Sequence, residues 1–192
     1  MSFDLKDILA AAKANAAEGG LPPVHLWEPQ YCGEMDMVIR ADGSWWHEGS
    51  RITRAALIKL FSSILRKDED GETYLVTPVE KIKIMVERAH FIATRVDIEG
   101  SGENQRVFFH TNMEEIVELG ENRPLRVETD PETLEPAPYI NVRARLEAAL
   151  ARNVFYELVE HAVEIEVDQG VQLGVFAQNL FFPLGPANIH KL

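Results

Sequence analysis

The sequence predicts an α+β protein of two small domains, each built on a strand-turn-strand-helix-strand motif and preceded by an N-terminal helix. Apolar residues recur at helical spacing at Leu5, Ile8, Leu9 and Ala12, again at Leu57, Phe61, Ile64 and Leu65, and again at Leu146, Leu150, Val154, Leu158 and Val159. Between these runs lie short alternating stretches bounded by Gly, Asn and Pro, the pattern of strands and turns. The order MVIRADG, RITRAALIKLF, DEDGETYLV is matched in hydrophobic pattern by LRVETDP, YINVRARLEAAL, VDQGVQLGVF, as a motif used twice would be. The expected division is residues 1–20 for the helix, 21–87 for the first α+β domain and 88–192 for the second.

Ser2 can cap the opening helix and Gly19-Gly20 end it, giving a packing arm or a partner-binding helix. LPPVHLWEP carries three prolines and reads as an extended connector, which His25 and Trp27 could pin to a surface. A hairpin turning at Asp42-Gly43 follows, then a helix from Thr53 as N-cap to about Leu65. RKDEDGE reads as a charged turn, and TYLVTP and EKIKIMVE as strands. FIATRVDIE, QRVFFHTN, EIVELG and PLRVE are further short strands, and ETDPETLEPAP is a proline-rich loop. APYINV is a strand, RARLEAALARNVFYELVEHA a long helix, and the end a hairpin at Asp168-Gln169-Gly170 plus a short strand.

The stretch CGEMDMVIRADGSWWHEGSRITR, Cys32 to Arg54, concentrates the reactive residue types. Pairing across Asp42-Gly43 sets Arg40 opposite Trp45, Ile39 opposite Trp46 and Val38 opposite His47; a three-residue bulged loop would shift these pairs. In that register Met37, Ile39 and Trp46 face the core, while Asp36, Val38, Arg40, Trp45 and His47 share the polar face. Arg54 opens one helix and Arg143 and Arg145 open another, where free N–H groups and the helix dipole prefer an anion. Each is answered by a carboxylate such as Glu48 or Glu147, or by a bound anion. Asp36, Arg40, Trp45, His47, Glu48 and Arg54 are therefore the candidate ligand-binding set, taking a small anionic ligand near the hairpin or the domain junction.

Formal charge of -12 and a pI near 4.9 speak against a nucleic-acid partner, since phosphate capture requires a basic patch. No run approaches a membrane span and the first twenty residues lack a signal-peptide pattern, so a cytoplasmic protein is expected. The lone Cys32 cannot close an internal disulfide, which agrees with a reducing compartment. No G-x-S-x-G, H-x-x-x-H, C-x-x-C, P-loop or dinucleotide fingerprint occurs, so no cofactor and no metal are expected. Two other readings stay open: a hydrolase using His47 with Glu48 or Asp36 as acid and base, and an interaction scaffold docking through its N-terminal helix.

PPVHLWEP, CGEMDMVIRADGSWWHEGSRITR and LRKDEDGETYLVTPVEKIKI together resemble a proteobacterial family known as domain of unknown function 1285. The shared pattern is met by Trp27, Pro29, Cys32, Gly33, Asp36, Met37, Ile39, Asp42, Gly43, Trp45, Glu48 and Gly49, then by Asp70 through Lys81. The resemblance implies a two-domain α+β fold with repeated motifs and suggests a role in signalling or ligand sensing; it implies no catalytic residue. The function expected from sequence is a non-enzymatic regulatory or ligand-binding protein.

Overall fold

The computed structural model describes Ile8, Ala10, Ala12 and residues 20–129, 135–167 and 170–187. The chain divides into two compact units, Met1–Ala89 and His90–Leu192.

In the first unit a 3-10 turn at Val24–Leu26 leads into β1 (Tyr31–Ile39), β2 (Trp45–His47), β3 (Ser50–Arg51), α1 (Ala55–Ser63), β4 (Leu65–Lys67), β5 (Thr73–Val76) and β6 (Lys81–Val86). They form one sheet in the order β3-β2-β1-β6-β5-β4. Two antiparallel meanders thus meet where β1 and β6 run parallel. The second unit holds β7 (Phe91–Glu99), β8 (Arg106–Thr111), β9 (Ile116–Glu118), β10 (Leu125–Thr129), β11 (Pro136–Arg143), β12 (Leu146–Leu150), α2 (Arg152–Glu160), β13 (Val163–Val167), β14 (Gly170–Ala177) and β15 (Leu180–Pro186). Its six-stranded sheet runs β10-β11-β12-β7-β8-β9, again two meanders joined by a parallel pair, and β13-β14-β15 form a third sheet.

The expected α+β class with an N-terminal helix is therefore corrected: strands occupy 52% of the chain against 15% helix, a mostly β protein of three sheets. The segment assigned to the N-terminal helix lies almost wholly outside the described residues, although Ile8 and Ala12 are buried. Nor does a strand-turn-strand-helix-strand motif describe the units. In the first, α1 stands between two three-stranded meanders; in the second sheet no helix separates them.

The largest error lies in the long helix expected from Arg143. Leu146–Leu150 is strand β12, and helix begins only at Arg152. β12 is a central strand pairing β11 on one side and β7 on the other, and Leu146, Ala148, Ala149 and Leu150 are all buried. Only Glu147 interrupts the apolar residues of this strand, and a run of five so short of polar positions does not separate a buried strand from a buried helix by periodicity. Ala144, at φ +45°, makes the tight reversal between β11 and β12, and its carbonyl accepts a bond from the Asn141 amide at 2.9 Å. Val154 and Leu158 of α2 are fully buried, the helix packing on β7 and β14.

The hairpin register is the second correction. Gly43 N donates to Arg40 O at 2.8 Å and Arg40 N to Ser44 O at 2.9 Å, so the loop is the three residues Ala41, Asp42 and Gly43, with Gly43 at φ +79°. That is a turn closed by a glycine bulge, and it moves every pair by one residue. The observed pairs are Ile39 with Trp45, Val38 with Trp46 and Met37 with His47. Trp45, not Trp46, joins Met37 and Ile39 in the core, at 0% exposure and stacked on Phe61 with ring centroids 6.1 Å apart. This contact holds α1 against the inner face. The indole Nε1 of Trp45 has no acceptor among the described residues, a penalty of roughly 1–3 kcal/mol that the buried ring area outweighs.

At the other edge of the sheet, RKDEDGE is a bonded network rather than a solvated turn. Arg66 donates through Nε to Asp68 at 2.6 Å and through Nη1 to the carbonyls of Val24 at 2.9 Å and Trp27 at 2.7 Å. The connector is thus pinned through its backbone carbonyls by Arg66. Lys81 reaches Asp68 from β6 and lies 4.0 Å over the Tyr74 ring, whose hydroxyl donates to Asp70 at 2.6 Å. That bond pushes the Tyr74 phenol above its ordinary value. Burial acts to raise the Asp68 carboxyl, but the bonds from Arg66 and Lys81 prevail and hold it below the usual range.

Two outcomes follow from this packing. Trp45→Ala should lower stability by about 3–5 kcal/mol, as for loss of a fully buried aromatic, and Trp46→Ala by only about 1 kcal/mol; equal losses in urea unfolding would contradict the observed register. Because its folded-state pKa is depressed, Asp68 stabilises the fold above its unfolded value of about 3.9 and loses that contribution as pH falls through the folded value. The stability advantage of wild type over Asp68→Asn should therefore be full at pH 7 and be lost as pH falls below about 4 toward the depressed folded-state value; a pH-independent difference would show that the charge of Asp68 is not what stabilises.

Candidate functional site

Strand parity sorts the hairpin residues. Met35, Met37 and Ile39 are buried on the inner face of β1, so Asp36, Val38 and Arg40 point outward, and Trp46 joins them as the partner of Val38. Arg51 joins the same face as the partner of Trp46, and Met85, 61% exposed, as the partner of Val38 on β6. The outer face thus carries an apolar stripe of Trp46, Val38 and Met85 across three strands, with Arg40 and Arg51 beside the indole.

This platform is held in place from below. The Asp42 carboxylate accepts from the Ser44 hydroxyl at 2.6 Å and from its amide at 2.9 Å, which keeps the Asp42 carboxyl below its ordinary value. Ser44 Oγ in turn accepts from Trp46 Nε1 at 2.8 Å, fixing the ring. The Arg40 guanidinium lies 4.7 Å over that ring, within cation–π range. Glu87 binds the turn through Ala41 N at 2.9 Å and stands 3.5 Å from Arg40. Glu87 is brought there because β6 runs parallel to β1, with its own amide donating to Ile39 O at 2.9 Å.

The six residues singled out from sequence do not form one cluster. Asp36 and Arg40 share the outer face. Trp45 is in the core, where it contacts no solvent. His47 follows the inner-face parity of Met37, and its Nδ1 meets the backbone carbonyl of Asp36 at 2.9 Å, not a carboxylate. Glu48, at φ +48°, forms with Gly49 at φ +71° the two-residue turn between β2 and β3. Arg54 is the N-cap of α1, the helix whose Phe61 stacks on the inward Trp45, and makes no side-chain capping bond. An acid–base pair of His47 with Glu48 or Asp36 thus has no hydrogen bond between the partners.

The other expected helix-start arginines have different places. Arg143 lies at the end of β11, paired with Glu115 and 5.0 Å over Phe91. Arg145 sits in the β11–β12 reversal. The arginine that does open the second helix is Arg152, answered by Glu135 at 3.0 Å. Sequence reasoning missed Trp46, Arg51 and Glu87: the first two are moved outward by the bulged turn, the third by a parallel pairing across half the unit. Elsewhere, His110 meets Asp97 at 2.6 Å beside Arg95, a surface triad on β7 and β8. Among the described residues no group of His, Cys, Asp and Glu is placed to hold a metal ion, and no helix is long and apolar enough to cross a membrane.

Two family models span the chain: domain of unknown function DUF1285, N-terminal domain, over residues 22–89, and protein of unknown function DUF1285, C-terminal domain, over residues 90–184. No curated protein matches it. The chain is similar to the crystal structure of a DUF1285 family protein from Silicibacter pomeroyi DSS-3, with 42% identity, TM-score 0.86, and coverage of 96% of this chain and 98% of that one. It is also similar to a DUF1285 family protein from Shewanella baltica OS155, with 26% identity, TM-score 0.51, and coverage of 66% and 92%. With both halves matched in order along almost its whole length, the chain belongs to the DUF1285 family.

Proposed function

We propose that the protein is a cytoplasmic, non-enzymatic binding protein with a regulatory role, taking a small anionic ligand on the outer face of its N-terminal sheet. The observation that carries the reading is the state of Arg40. Its side chain is 48% exposed, its guanidinium is stacked on a hydrogen-bonded indole, and its carboxylate neighbour Glu87 stands at 3.5 Å. Arg66, Arg95, Arg106 and Arg152 each have a carboxylate within 3.0 Å. Arg40 therefore keeps its flat face fixed and its N–H edge open to an incoming carboxylate or phosphate, the geometry in which arginine binds anions best. Arg51, on the far side of Trp46, adds a second cation, and the Trp46–Val38–Met85 stripe gives an apolar floor for the rest of the ligand. The regulatory role rests on the chemistry of this face, which positions a charge and an aromatic plate but no nucleophile with an aligned base.

In a thermal-shift series with inorganic phosphate, citrate and phosphate monoesters, a ligand of this face raises the melting temperature of wild type. Arg40→Ala should weaken that ligand about tenfold or more, the value of one charge-assisted hydrogen bond of ~1.5–3 kcal/mol. Glu87→Gln should strengthen it by removing the competing carboxylate, and Arg54→Ala should leave it unchanged. A ligand whose affinity is lost in Arg54→Ala and kept in Arg40→Ala would place the site on the opposite face and defeat the reading.

A further inference from the structure

Strand β13, Val163-Glu164-Ile165-Glu166-Val167, is an exposed edge, and among the described residues the other sheet edges are short or covered. β3 has two residues and β9 three. β4 is flanked by the Val24–Leu26 turn, which Arg66 anchors, and β10 has β15 beside it. β13 pairs β14 through five consecutive residue pairs with no bulge, and it contains no proline. All of its residues but Ile165 are exposed, Val163 at 44% and Val167 at 37%. A flat, regular, β-branched edge of this length is a template for another strand.

The side chains state which strand fits. Val163, Ile165 and Val167 lie on one face, and Glu164 and Glu166 on the other beside Leu173 and Val171. A second copy of β13 is a poor match in any register. Opposed residues share a face, so in-phase pairing sets Glu against Glu, and a one-residue offset sets Glu against Val or Ile. A strand alternating apolar residues with lysine or arginine satisfies both faces at once. The formal charge of -12 on the chain draws such a segment in at long range. We propose that β13 is a docking edge for an extended cationic segment of a partner protein, added as a fourth strand to the β13-β14-β15 sheet, a function separate from the anion site of the first unit.

The probe is a seven-residue peptide alternating valine and lysine, titrated into the full chain while backbone amide signals are followed; its mirror is the same peptide with glutamate for lysine. The Lys peptide should bind, shift and protect the amides of residues 163–167, and weaken at least tenfold in the Glu164→Gln/Glu166→Gln double variant, whose exposed substitutions leave the melting temperature within a degree or two of wild type. Glu164→Lys/Glu166→Lys should exchange the preference, binding the Glu peptide and not the Lys peptide. Absence of binding to wild type, binding mapped away from β13, equal affinity in wild type and the Gln variant, or a wild-type dimer with β13 amides protected would each overturn the proposal.

Discussion

The position of one glycine decides how the N-terminal unit is built. Gly43, at φ +79°, lets three residues close the β1–β2 hairpin, and the phase of that closure sends Trp45 inward and Trp46 outward. Side chains alternate with a period of two, so a loop longer or shorter by one residue would exchange the two tryptophans and the faces of the rest of β2, while β1 keeps its own. The inward choice supplies the ring on which Phe61 stacks, and through Phe61 the seat of α1. The outward choice supplies the plate under Arg40. Core and candidate site are two faces of the same register, and the Asp42–Ser44–Trp46 chain of hydrogen bonds ties the turn to the exposed ring.

This shows why local structure was readable in the sequence while its consequences were not. The hairpin, its Asp42-Gly43 turn, the helix after Arg54 and most short strands follow from periodicity and turn chemistry over windows of ten residues or fewer. Loop length is a difference of one residue within such a window, and nothing in WW distinguishes the buried ring from the exposed one. β12 differs from its expected helix for a related reason: Leu146, Ala148 and Leu150 are buried on one face and Ala149 on the other beside Glu147, and its pairing with β11 and β7 belongs to the assembled sheet. Local patterns report which faces are wet, and one partly exposed residue, Glu147, is too little to set a period.

The candidate site needed contacts further still along the chain. Glu87 reaches the Asp42 turn because β6 lies parallel to β1, a pairing that closes a loop of more than forty residues. The same parallel junction recurs between β12 and β7, where two antiparallel meanders again become one sheet. Antiparallel neighbours were visible because short turns announce them; the parallel seam in the middle of each sheet was not, since no turn joins its strands. Sequence identified Asp36 and Arg40 correctly as neighbours on one face, and placed Trp45 and His47 with them only because the phase was off by one.

Electrostatics separates the two surfaces proposed for binding. The chain holds 31 acids against 19 lysines and arginines, and most of the described cations are spent inside it: Arg66 and Lys81 on Asp68, Lys83 on Glu72, Arg106 on Glu118, Arg126 on Glu147. What remains outward is mainly negative, so the general field favours cations. An edge such as β13 works with that field, its two glutamates repelling a like copy at the same time as they recruit an opposite partner. The Arg40 face works against it and depends on contact alone: a guanidinium already ordered by Trp46 loses little freedom on meeting an anion, and at contact distance its local attraction exceeds the screened repulsion of remote acids. On the proposed reading, selectivity would follow from the same balance, because an anion lacking an apolar part to rest on Val38 and Met85 would meet the repulsive field with one interaction fewer.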